Sequence, residues 1–381
     1  MRTILVTIAL ALSTLGGQVF AQGKFSGYMF GDYFYNVARD TAFKRANLSN
    51  SAVNGQKDLQ AFQIRRIYFA YDNDISENFT TRFRLESDLS AGSKETDANN
   101  KVTVFVKDAY LMWKNVFTGS NLIFGLQPTS AYDISETAWG YRSLEKTIMD
   151  LRGIIPSREL GVSLKGKLVE SGMINYWATI ANNTGTANPN GIVADVDKYK
   201  RYSLNLQFKP TDLLQITAYG SYLARPNTND IASTATPKAT VGNGTFTAAL
   251  FVGYAEKDKY SLGVEGFLAS TANQLTDTST SPHSLKSLKT LGFTLFGSVY
   301  VTSDLAVVAR YDYFDPNTDS NSKGDMRNYF IAGLSYKPDK NVSITPNVQI
   351  ETYESLPNGG RSIDASVTGR ITFYYVFLDS K

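Results

Sequence analysis

The chain has 381 residues, no cysteine, one histidine and a net charge of +3. The lack of Cys excludes a disulfide framework and any thiolate metal site, and so small a net charge gives no ground for nucleic-acid binding. The 23 Tyr and 22 Phe suit strands, whose pleated surface accommodates aromatic rings.

The chain opens with Arg2, an apolar run from Ile4 to Leu15, and Val19-Phe20-Ala21. A short basic region, a short apolar core and a small-x-small site predict a secretory signal peptide over 1–21, with 22–381 as the mature chain. No later apolar run reaches the roughly 18 residues that a spanning helix needs. The chain is thus expected to be exported and to lack a helical anchor.

From there the sequence alternates apolar and polar residues with a period of two. Phe79, Phe83, Leu85 and Leu89 alternate with Thr80, Arg82, Arg84, Glu86 and Asp88. Tyr202, Leu204, Leu206 and Phe208 alternate with Arg201, Ser203, Asn205 and Gln207. The same pattern returns in Val342, Ile344, Val348 and Ile350, and in Ile371, Phe373, Tyr375 and Phe377. These runs predict strands over 24–36, 60–72, 79–90, 102–113, 121–127, 159–169, 173–181, 198–208, 213–224, 245–255, 260–269, 289–301, 305–314, 328–336, 342–353 and 362–377. That is about 16 strands, an even number as in bacterial outer-membrane barrels. Arg65 and Arg66 are adjacent, so both can face one side only through a bulge; the pattern does not say which of them faces inward.

The connections alternate as well. One set is short and rich in turn residues, such as Glu170-Ser171-Gly172 and Thr302-Ser303-Asp304. The other is long and polar: 38–58, 91–100, 128–158, 182–197, 225–244, 270–288, 315–327 and 354–361. Short turns at one end and long loops at the other predict an all-β transmembrane antiparallel barrel with its long loops outside the cell. Sandwiches also alternate, but their outer faces are polar.

The third long connection, 128–158, combines apolar bulk with charge. It carries Trp139, Tyr141, Leu144, Ile148 and Met149 beside Asp133, Glu136, Arg142, Glu145, Lys146, Asp150, Arg152 and Arg158. Such a segment needs an apolar wall on one side and water on the other, so it is expected to fold into the barrel mouth and narrow the pore. Arg82, Arg84, Glu86 and Asp88 are expected on the facing wall, because a Lys or Arg at the lipid midplane costs roughly 2–4 kcal/mol.

Several stretches carry a family resemblance. They are Lys107-Asp108-Ala109-Tyr110-Leu111-Met112-Trp113, Ile123 to Pro128, Trp139 to Asp150, Leu160-Gly161-Val162 and Arg310 to Asn317. Together they resemble the phosphate-selective (O and P type) porin superfamily of Gram-negative outer membranes. The resemblance implies a 16-stranded barrel, usually trimeric, with its third loop in the pore. It also implies a constriction lined by lysines, whereas loop 128–158 here balances four basic against four acidic residues.

Two other features point to chemistry. His283, the sole histidine, lies in a polar loop with no companion for acid–base work. Asp315, Asn317, Asp319, Asn321 and Asp325 place oxygen ligands at alternating positions, as calcium loops do, without the closing bidentate Glu. The sequence therefore predicts a channel for passive diffusion of small hydrophilic solutes, weakly anion-preferring, with no catalytic residues, no metal and no cofactor. A phosphate- or polyphosphate-selective porin is one alternative. A plugged structural or adhesive barrel, or a barrel enzyme, is another.

Overall fold

The computed structural model describes residues 23–40, 57–88, 102–182, 198–279, 281–320, 322, 324–355 and 362–379. The expected signal peptide lies outside the described residues, as do most of the loops 38–58, 91–100, 182–197 and 354–361.

The strands are β1 (Lys24–Ala38), β2 (Gln60–Asp74), β3 (Phe79–Asp88), β4 (Phe105–Phe117), β5 (Ser120–Pro128), β6 (Arg158–Lys167), β7 (Ile174–Ala181), β8 (Arg201–Phe208) and β9 (Leu214–Leu223). After the two-residue pair β10 (Thr228–Asn229) and β11 (Thr240–Val241) come β12 (Thr245–Glu256), β13 (Tyr260–Asp277), β14 (Ser284–Tyr300), β15 (Leu305–Asp315), β16 (Arg327–Asp339), β17 (Val342–Tyr353) and β18 (Ser366–Leu378). All but β10 and β11 form one closed barrel of 16 antiparallel strands, each beside its sequence neighbour, with β1 closing on β18. Closure leaves no free sheet edge, which is what a sheet in lipid requires.

The alternation faces the way the sequence predicts. On β8, Tyr202, Leu204, Leu206 and Phe208 are exposed on the outside, while Arg201 and Asn205 are buried inside. Phe124, Leu250, Leu262, Leu295, Phe330 and Ile371 continue this outer apolar surface around the barrel. So extensive an exposed apolar face is stable only against hydrocarbon.

Two regions depart from the expected strands. β13 and β14 run on past 269 and before 289, so the expected loop 270–288 is mostly a projecting hairpin. There β13 pairs with β14 as far as Asp277↔Ser284, after an irregularity between Thr271 and Leu275. Its leucines, Leu275, Leu285 and Leu288, do not recur at every second residue, so no apolar alternation marks it. The second departure is at the lumen wall. Across β1 and β2, Phe30 pairs with Arg66 and Gly31 with Ile64, which leaves Arg65 as a bulge. Across β3 and β4, Arg84 pairs with Asp108 and Leu85 with Val106, which leaves Lys107 as another. Each bulge turns two consecutive charged residues inward, so Arg65 and Arg66 both face the lumen.

Candidate functional site

The loop between β5 and β6 enters the barrel and carries two short helices, α1 (Asp133–Trp139) and α2 (Ile148–Leu151). Asp133 and Glu136 lie in the first turn of α1, where acidic side chains favour the helix dipole. Gly140 ends the helix at φ 68°, a left-handed position that suits glycine.

One side of the loop is packed down. Trp139 meets Phe296 edge-on at 5.3 Å and joins Leu144, Leu151, Phe251, Val308, Tyr329 and Ile331 in one cluster. Ala131, Tyr132, Ile148, Met149 and Ile155 join Tyr219, Phe267 and Phe314 in a second. The wall partners come from β9 and β12 to β16. Burying Trp139, Leu144, Ile148, Met149, Leu151 and Ile155 is worth on the order of 10 kcal/mol before the entropy of ordering the loop is subtracted. Polar anchors fix the register. Asn205 Nδ2 donates to Ser130 O (2.7 Å), Arg65 Nη1 to Leu144 O (2.7 Å), and Trp139 Nε1 to Glu145 O (2.9 Å). Arg152 pairs with Glu351 at 2.8 Å and Arg65 with Glu145 at 3.5 Å. Burial opposes ionisation of Glu145, but the guanidiniums of Arg65 and Arg370 and the Lys146 N–H outweigh it and hold its carboxyl down to about 2.

Trp139, Glu145 and Arg152 are buried in the seam between loop and wall, where they hold the loop, and Trp139 also lines the cavity below it. Arg158 lies at the start of β6 and pairs with Asp108, so it belongs to the wall.

The other side of the loop faces the lumen with Asp133, Glu136, Arg142, Lys146 and Asp150. Arg142 sits 3.2 Å from Glu136 and 3.6 Å from Asp150, and Lys146 lies 3.8 Å from Asp150. Enclosure by the barrel raises the Asp133 carboxyl, with Lys165 and Arg84 acting against it. It raises Glu136 too, opposed chiefly by Arg142. Asp150 favours the charged form of Lys146, but enclosure and the guanidiniums of Arg142 and Arg66 prevail and lower it.

Across from the loop stands a basic wall on β2, β3, β4 and β6. Arg84 lies 2.7 Å and Arg82 3.6 Å from Asp108. Lys107 is 2.7 Å and Arg66 2.9 Å from Glu86, and Arg66 also pairs with Asp88. Arg82 is 3.7 Å from Asp72. With Arg158, five cations meet the four carboxylates Glu86, Asp88, Asp108 and Asp72 in this strip, an excess of one positive charge. Glu86 and Asp108 are buried beneath their partners. The sequence reading named Arg82, Arg84, Glu86 and Asp88 here but missed Arg66, Lys107 and Asp108. Their signal, adjacent charges on a strand, is legible only once the bulges are known.

The Asp/Asn spacing at 315–325 has another use. Asp315 Oδ1 accepts from Asn317 N and Asn317 Oδ1 from Asp319 N, while Asp319 pairs with Lys286. These side chains shape a turn and tie it to the projecting hairpin. No group of three His, Cys, Asp or Glu side chains arranged for a metal occurs among the described residues. His283 is exposed at the tip between β13 and β14.

No protein-family profile and no curated protein matches this chain in sequence. Solved structures do match in shape. An anion-selective porin from Comamonas acidovorans aligns over 93% of this chain and 100% of its own, at 11% identity and a TM-score of 0.60. OprB of Pseudomonas putida aligns over 93% and 94%, at 9% identity and a TM-score of 0.61. OmpT lacking loop L8, an outer-membrane protein of Vibrio cholerae, aligns over 93% and 99%, at 11% identity and a TM-score of 0.59. At such identities the likeness is one of architecture: the chain has the fold of the 16-stranded porin-type barrels of Gram-negative outer membranes.

Proposed function

We propose that this protein is an outer-membrane porin: a water-filled channel through which small hydrophilic solutes and ions diffuse passively, with a weak preference for anions. The observation that carries this is the two-sidedness of loop 128–158. Its apolar side is seated on β9 and β12 to β16, while its charged side and the basic wall of β2 to β6 face each other across the lumen. The loop narrows the barrel from one side and leaves a charged slot on the other, an arrangement suited to a transverse field that small polar solutes can reorient through. The excess of one positive charge on the wall supports anion preference. The pairing of nearly every wall cation with a carboxylate argues for a weak one, because paired charges attract a permeant anion less.

The barrel is proposed to act as a homotrimer in outer-membrane lipid, with its short turns towards the periplasm. It is proposed to use no cofactor and to catalyse nothing. The phosphate-selective alternative requires free cations at the constriction. The wall offers carboxylate-paired ones, so we favour the general channel. In planar bilayers the purified protein should give stepwise conductance in KCl, and silence under all conditions would contradict this reading. Phosphate at low concentration should leave the chloride current nearly unchanged; strong, saturable block would establish the phosphate-selective alternative instead.

A further inference from the structure

Between the two apolar seats of the loop lies a carboxyl that neither seat accounts for. Glu265 on β13 points inward and is 1% exposed. Phe251, its cross-strand neighbour on β12, belongs to the first cluster, and Phe267, two residues on, belongs to the second. Helix α1 packs on β12 and β13, and Ser261 Oγ on β13 donates to Ala138 O of that helix. The seated loop thus closes Glu265 off from the lumen.

The other buried carboxylates of the seam face guanidiniums: Glu145 faces Arg65 and Glu351 faces Arg152. Among the described residues, neither oxygen of Glu265 has a hydrogen-bond partner and Glu265 enters no ion pair. The donors around it are committed elsewhere. Arg310 on β15 gives Nε (2.8 Å) and Nη2 (2.6 Å) to Asp312 and Nη1 to Lys146 O. Thr294, opposite Glu265 on β14, donates to Asp312 Oδ1 at 2.6 Å. Ser135, buried on α1, donates its single proton to Tyr132 O at 3.2 Å. Of the other charged groups on these elements, Asp312 opposes a second negative charge beside it. Asp133 and Glu136 lie on the lumen side of α1, and Glu145 and Lys146 lie farther along the loop.

We infer that Glu265 is a proton-operated latch: the seated loop keeps it protonated, and its ionisation releases the loop from the wall. A carboxylate with no donor and no cation is costly to bury, so the enclosed group holds its proton. Once the loop lifts, water reaches Glu265, which then ionises as an ordinary glutamate does, near about pH 4.3. Lifting therefore releases a proton. Seating is strongest below about pH 4.3 and weakens as pH rises above it. The ratio of seated to lifted loop falls by at most about tenfold per pH unit, until the seated group ionises as well. The latch is independent of what the lumen conducts.

The chain has no cysteine, so Thr147→Cys places a single thiol in the seam, where Thr147 is buried. A thiol reagent reaches it when the loop lifts. Its labelling rate in the purified full-length barrel, divided by that of a free thiol at the same pH, follows the lifted fraction. From pH 5 to 8 this ratio should rise by about tenfold or more. Adding Glu265→Gln, which keeps the shape of the protonated carboxyl, should leave the ratio near its pH 5 value throughout. Adding Asp133→Asn with Glu136→Gln instead should leave the rise in place, which separates the latch from the lumen carboxylates. A flat ratio in the Thr147→Cys protein would mean that the seated Glu265 is charged, and would overturn the latch. A rise of the same size with Glu265→Gln would place the proton elsewhere and overturn it too. Neither result involves conductance, so both leave the channel reading standing.

Discussion

The barrel lining is built in two ways. From β9 round to β16 it presents Tyr219, Phe251, Phe267, Phe296, Phe314 and Tyr329, and the loop covers them. From β2 to β6 it presents Arg66, Arg82, Arg84, Lys107 and Arg158, each paired with a carboxylate; Arg82 is the most exposed of them, while Arg66 and Lys107 are buried among these pairs. The first wall fixes where the loop lies. The second, in the proposed channel, sets what the slot does to a passing charge. One half of the lining is thus a binding surface for the chain itself, and the other half is the surface that the proposed function assigns to solutes.

Cutting the seam should have the largest effect. Trp139→Ala removes the largest buried side chain of the loop and should destabilise the loop's seating by about 3–5 kcal/mol. Protease should then cut within 128–158 in the folded barrel, and single-channel conductance should become larger and noisier. Unchanged proteolysis would mean that the packing does not hold the loop. Arg152→Met should cost about 3 kcal/mol, because Glu351 is left charged and buried. Adding Glu351→Gln to Arg152→Met should recover much of that loss in a thermal melt, and a double variant weaker than Arg152→Met alone would contradict the pairing.

The open side responds to pH with a definite sign. Enclosure disfavours the ionised forms of Asp133 and Glu136, so on acidification these two take up protons before ordinary carboxylates do. The loop then loses negative charge, and anion preference should rise as pH falls towards the carboxylate range, beginning before ordinary carboxylates titrate. Asp133→Asn with Glu136→Gln should hold the preference at its raised value throughout that range. A preference that falls with acidification would contradict the assignment. The smallest effect is expected at the helix end. Gly140→Ala forces a side chain into a left-handed position, φ 68°, and should cost about 1 kcal/mol with little change in conductance.

Much of this was legible in the sequence, for a physical reason. A barrel in lipid reads as strict alternation wherever one face meets hydrocarbon and the other meets water, and that condition holds for most of its strands. Composition and length marked the loop, as a segment too apolar to be solvated and too charged to be buried. The rest was hidden where the condition fails. In the hairpin of β13 and β14 beyond residue 270 the leucines Leu275, Leu285 and Leu288 do not alternate with polar residues, so its strands looked like loop. The bulges at Arg65 and Lys107 shift the register by one residue, so charges that belong on one face look like charges on two. Trp139, Glu145 and Arg152 carried the right chemistry for a pore lining, but the sequence does not say which side of a loop is pressed against the wall. That depends on Phe296, Tyr329 and Glu351, more than 150 residues away along the chain.

The conducting role proposed for the slot between the loop's charged side and the basic wall is open to direct measurement. It is tested most directly by reversal potential in a KCl gradient, measured on the parent protein and on Arg82→Glu with Arg84→Glu. The parent should show weak anion preference that fades as salt rises and screening shortens to a few ångströms, about 3 Å at 1 M. The double variant should turn cation-preferring, because it reverses two charges in a strip whose excess is one. An unchanged reversal potential in the variant would show that ions pass elsewhere and would contradict the account.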